Sequence, residues 1–152
     1  MQRNERAAEI VNDLVRINND RIEGYDRAMK EAKAEDNDLR STFERMKRES
    51  VKYREELSDL ARQLGSEPGK GTRTDGKIYR VWMDLKATFT GNNRKAVLEN
   101  CEFGEDAAQR AYKTALSDND LTPEVRQIVA QQQQSLRVAH DTIRDMRDAT
   151  RG

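Results

Sequence analysis

Few side chains in this sequence could do chemistry. His140 is the one histidine and Cys101 the one cysteine among 152 residues, so neither a Ser/His/Asp arrangement nor a histidine-rich metal cage has enough material. Carboxylates offer more. In LENCEFGEDAAQRAY, residues 98–112, Leu98, Cys101, Glu105, Ala108 and Tyr112 recur at steps of three and four, which on a helix aligns them along one face. Four of the five suit a core. Glu105 does not: buried unpaired, it would cost several kcal/mol or take up a proton, so a metal, a partner side chain or water must meet it. The ligands that could join it are Glu102 one turn earlier, Glu23 near the N-terminus and His140 near the C-terminus. With waters, these satisfy the ligand count of zinc or iron but show no supporting spacing.

Two other features invite chemistry and do not sustain it. GSEPGKGT resembles a phosphate-binding loop, but only three residues separate Gly65 from Gly69, no strand precedes, and Thr72 does not follow Lys70 directly. Cys101 lies on the apolar stripe and reads as an inert buried thiol, and a single cysteine excludes an internal disulfide.

The elements that must position these residues are helices. Only Pro68 and Pro123 interrupt the chain, and the glycines gather in GSEPGKGTRTDG and TGNN. A first helix is expected from about Asn4 to Lys33, with Ala7, Ile10, Val11, Leu14, Val15, Ile17, Ile22, Tyr25 and Met29 on a broad apolar face. Gly24 inside it suggests a close helix approach or a large neighbouring side chain. A second, from Leu39 to Leu64, carries the cleanest period, Leu39, Phe43, Met46, Ser50, Tyr53, Leu57, Leu60 and Leu64, and ends at Gly65. The last helix starts at Thr122 and Pro123 and repeats this seam 86 residues on, as Val125, Val129, Gln132, Leu136, Ala139, Ile143 and Met146.

A second internal match joins RAMKEAKAEDNDL (27–39) to RAYKTALSDNDL (110–121). The chain therefore reads as one all-α domain over residues 1–152, made of two helical hairpins, 4–64 and 94–150. A crossover over 65–93 joins them, with a short helix bearing Ile78, Val81, Trp82, Leu85 and Phe89. A connection this long can travel the length of a helix of about 40 Å and deliver the second hairpin reversed.

This order, with RVWMDLKATFTG in the crossover and the stretches LVRINNDRIEGYDRA, GEDAAQRAYKTAL and VAHDTIRDMRD, resembles a family of small bacterial ferritin-like four-helix-bundle proteins of undetermined function. The resemblance covers nearly the whole chain. It implies a ferritin-like fold and an association with stress, as in other ferritin-like proteins, but supplies no activity. A di-iron or di-manganese centre in such a fold needs a glutamate from each of two helices and Glu-x-x-His from each of the other two. Glu23 and Glu105, with Glu102 nearby, could meet the first requirement. The second fails: Glu44, Glu49, Glu55 and Glu56 precede no histidine, and three residues before His140 stands Arg137.

Bulk composition narrows the rest. The 28 basic and 28 acidic side chains balance, which gives no general reason to expect nucleic acid or an anionic membrane as partner. The first residues lack a signal-peptide pattern and no segment has the length of a membrane span, so a cytoplasmic protein is expected. From Gly65 to Ala96 seven basic residues face three acidic ones, a net charge of +4 that suits a solvated loop or a weak docking surface. The expectation is a non-catalytic structural or interaction bundle with no cofactor and no metal. Apolar residues on both faces of the first helix favour a homodimer, with an unknown protein partner the other possibility. Tyr79, Trp82 and Phe89 would cap the bundle or form a docking edge. The alternative is a metal-binding protein or oxidoreductase, with iron, manganese or zinc on a degenerate site of Glu23, Glu102, Glu105 and His140.

Overall fold

The computed structural model describes residues 2–31, 37–66, 78, 79, 82, 94–119 and 121–149. Nearly all of them lie in four helices: α1 (Gln2–Glu31), α2 (Asn37–Gln63), α3 (Arg94–Leu116) and α4 (Pro123–Ala149). No described residue is in a strand. The chain is all-α.

Helix ends follow local chemistry. At the end of α2, Gly65 adopts φ 83°, its N–H donates to Arg62 O and that of Ser66 to Ala61 O, at 3.0 and 2.9 Å. This is the paired closure that a left-handed glycine permits. At the start of α4, Thr122 Oγ1 accepts from Val125 N at 3.3 Å, with Pro123 at the first helical position. The Arg126 guanidinium donates to the carbonyls of Leu116 and Asp118 at 2.5 and 2.7 Å, tying α4 to the end of α3.

Packing pairs α1 with α2 and α3 with α4, and joins the hairpins through α1–α3 and α2–α4. Side-chain pairs fix the directions. Arg6 meets Asp118 and Arg21 meets Glu105, so α1 and α3 are antiparallel. Arg94 forks onto Asp38 at 3.0 and 2.7 Å, which brings the starts of α2 and α3 to the same end. α2 therefore ends at one end of the bundle and α3 starts at the other. Of the short helix expected in the 65–93 connection, Ile78, Tyr79 and Trp82 are helical and buried against α1; Val81, Leu85 and Phe89 lie outside the described residues.

The seams of α2 and α4 are buried as the 86-residue offset requires, with Leu64, just past α2, and Met146 half-buried. Two expectations need correction. Gly24 is exposed and a Cβ there would meet nothing within 4 Å, so no close approach explains it. The two Asp-Asn-Asp-Leu stretches do not behave alike: Leu39 lies within α2, whereas Leu121 is buried ahead of α4. Ile78, Tyr79 and Trp82 of the crossover share an apolar cluster with Ile10, Leu14 and Ile17 of α1.

Two apolar clusters form the core. One surrounds the first half of α1, with Leu14, Leu57, Trp82, Ala111, Val129 and Leu136 among its members. The other lies at the opposite end and includes Leu39, Phe43, Met46, Leu98, Cys101 and Ile143. Polar side chains lie between them.

Candidate functional site

On α1, Leu14, Asn18, Arg21, Tyr25 and Ala28 follow steps of four and three and are all buried. Two polar layers result. In one, Arg21 and Glu105 are 4% and 1% exposed. The guanidinium donates from Nε and Nη2 to Glu105 Oε1 at 3.2 and 2.5 Å, and from Nη1 to Ser50 Oγ at 2.5 Å. Tyr25 OH donates to the same carboxylate oxygen. Burial works to lower the Arg21 pKa, but the charge and hydrogen bond of Glu105, with Tyr25 and Tyr112, together outweigh it and hold the guanidinium above its ordinary range. Burial, reinforced by Glu105, pushes the Tyr25 hydroxyl and the Cys101 thiol well up.

The second layer relays hydrogen bonds across all four helices. Asn18 Nδ2 donates to Tyr112 OH at 2.9 Å, Tyr112 OH to Gln132 Oε1 at 2.7 Å, and Gln132 Nε2 to Glu56 Oε1 at 3.0 Å. Gln132 Nε2 also reaches Tyr53 O at 3.3 Å. Glu105 Oε2 and Asn18 Oδ1 are buried acceptors without a partner. The belt thus presents surplus acceptor capacity, while its donors are engaged.

Glu105 is met by partner side chains, Arg21 and Tyr25. Pairing with His140 or Glu23 is not observed. Glu23 is exposed on α1, and Glu102 accepts from Arg147 Nη1 at 2.5 Å. His140 Nε2 lies 2.6 Å from Asp106 Oδ1 and its Nδ1 3.1 Å from Asp141 Oδ1. The reason is angular: Leu136, Ala139 and Ile143 carry the buried seam of α4, and His140, one residue past Ala139, is rotated to the flank facing Asp106. Among the described residues no three of His, Cys, Asp and Glu converge as a metal site. Glu23, Glu102, Glu105 and His140 do not fit around a common ion, and Arg21 sets a positive charge beside the one of them that is buried in the core.

A second polar device anchors the crossover. Asp13 Oδ2 accepts the backbone N–H groups of Ile78 and Tyr79 at 3.2 and 3.1 Å, while Asp20 Oδ2 accepts from Tyr79 OH at 2.8 Å and Trp82 Nε1 at 3.0 Å. Arg16 stacks 4.3 Å from the Tyr79 ring centroid. Burial raises the Asp13 pKa to about 6, against the lowering effect of its backbone donors.

A family model described as "Domain of unknown function (DUF2383)" matches residues 6–118. The chain belongs to that family. The matched span holds Arg21, Tyr25, Ser50 and Glu105, and ends before α4, which contributes Gln132 and His140. No curated protein matches the chain. No described helix is long and apolar enough to cross a membrane.

Proposed function

We propose that the protein is a non-catalytic, ferritin-like structural or protein-interaction bundle associated with stress, working in the cytoplasm as a homodimer or with a protein partner. What carries this reading is the Arg21–Glu105 pair. In a ferritin-like bundle, inward carboxylates exist to neutralise metal cations; here a guanidinium of the chain itself neutralises the inward carboxylate. The shared end of the α2 and α3 starts, with α2 ending at the other end of the bundle, favours the ferritin-like assignment. Burial of Tyr79 and Trp82 favours capping by the crossover over a docking edge.

A second reading, a metal-binding protein or oxidoreductase using iron, manganese or zinc, rests on one observation. Glu102 Oε2 and Glu105 Oε2, three residues apart on α3, are both buried without a partner. Elemental analysis of untagged protein purified without chelator separates the two. The proposed function expects no stoichiometric metal and a melting temperature indifferent to added iron, manganese or zinc, since a ligand of the native state must raise it. Stoichiometric metal that disappears in Glu105→Ala overturns it. Light scattering that finds only monomer at high concentration removes the homodimer.

A further inference from the structure

The outer flank of the second hairpin carries a groove of about 570 Å³ between α3 and α4, within the size range of small-ligand sites. Arg110, Lys113 and Arg137 line it, and none of the three forms a close ion pair among the described residues, although the Asp141 carboxylate lies near enough to act on Arg137. Arg144, also in the lining, spends its charge on Asp141 and Asp145. Asp106 and Asp141 flank His140. Apart from His140, four cations against two carboxylates leave the lining at +2.

Arg110 and Lys113 are like charges one turn apart, an arrangement that costs a few tenths of a kcal/mol in an isolated helix. Arg137 adds a third cation from the facing helix. An anion would remove this repulsion, and two guanidinium forks with an ammonium match the charge and the several acceptor oxygens of a phosphate. At the groove's other end stands Phe103, 46% exposed and the one exposed large aromatic side chain among the described residues. Seven residues separate it from Arg110, a rise of about 10 Å. The floor between them includes the small Ala107, and the His140–Asp106 pair offers hydrogen-bonding groups midway.

We propose that this groove binds an organic phosphate of nucleoside-monophosphate size, its phosphate held by Arg110, Lys113 and Arg137 and its flat ring lying against Phe103. The site is separate from the buried belt, so its fate and that of the proposed function are independent.

Titration of the full chain with adenosine monophosphate, adenosine and inorganic phosphate, followed by calorimetry and by backbone amide shifts, tests it. Adenosine monophosphate is expected to bind most tightly, with shifts confined to residues 103–113 and 137–144. Arg110→Gln and Arg137→Gln should each weaken it about tenfold, the worth of one charge-assisted hydrogen bond. Phe103→Ala should weaken adenosine monophosphate and leave inorganic phosphate unchanged, and Lys52→Gln on exposed α2 should change nothing. The side chains replaced are exposed, so the variants should fold, and unchanged melting curves check this. No saturable binding of adenosine monophosphate, or equal affinity in Arg137→Gln, overturns the site. Inorganic phosphate binding as tightly as adenosine monophosphate, with Phe103→Ala silent, overturns the ring's place in it.

Discussion

Arg21 on α1 and Glu105 on α3, 84 residues apart in sequence, form an ion pair shut away from solvent between the two apolar clusters. Removing one member of such a pair strands the other charge, at a cost of about 3–5 kcal/mol, whereas replacing both with apolar groups of similar volume is often neutral or stabilising. Arg21→Met and Glu105→Leu should therefore each lower the urea midpoint sharply, and the double variant should recover most of the loss. Additive losses in the cycle would mean that the two residues do not act as a pair.

Asp13 makes stability depend on pH in the direction opposite to an ordinary salt-bridged carboxylate. Its folded pKa is about 6 against an ordinary value of 3.8, so between those values the folded chain keeps a proton that the unfolded chain has released. The Asp13 contribution is therefore full below about pH 4 and is lost as pH rises through about 6. The difference of about two units corresponds to roughly 3 kcal/mol. Asp13→Asn retains an acceptor for Ile78 N and Tyr79 N without the titration. Melting temperatures of the two proteins, compared from pH 4 to pH 7.5, should shift against the wild type as pH rises; parallel curves would refute the linkage.

Tyr112 sits at the middle of the four-helix relay. Tyr112→Phe keeps the ring but removes the acceptor for Asn18 and the donor for Gln132 Oε1. Asn18 Nδ2 still reaches Leu14 O at 2.9 Å, so Gln132 suffers most. A loss of about 1–3 kcal/mol is expected in denaturant unfolding. A value near zero would show that the hydroxyl is dispensable.

Gly24 and Gly104 are interior helical positions where an added Cβ meets nothing within 4 Å, and neither has a positive φ. Gly24→Ala and Gly104→Ala should each stabilise the protein by about 0.5–1 kcal/mol through lost backbone freedom of the unfolded chain. A calorimetric melting temperature that falls in either variant would indicate a packing role.

Apolar periodicity made the fold legible. The seams of α2 and α4, the Gly65 and Thr122 ends and the reversed second hairpin all follow from spacing and turn residues, because these depend on local backbone chemistry and on which faces must be dry. The site was legible only in outline. Glu105 announced itself as a carboxylate on an apolar stripe, and Gln132 as an amide on the seam of the last helix. Its partner was missed because Arg21 looks like any surface arginine unless Leu14, Asn18, Tyr25 and Ala28 are aligned with it as one seam. Asp13 and Asp20 were missed for another reason: what they bind lies about 60 residues away on the crossover, and no local period encodes it.

Seams built from leucine, alanine and valine look much alike every seven residues, so hairpins joined by a long connection could in principle slide past one another by a heptad and still bury hydrocarbon. The polar belt forbids this. A slipped alignment would drag a charge and a row of amides into oil without their mates, making the belt a vernier that admits one setting of the second hairpin on the first.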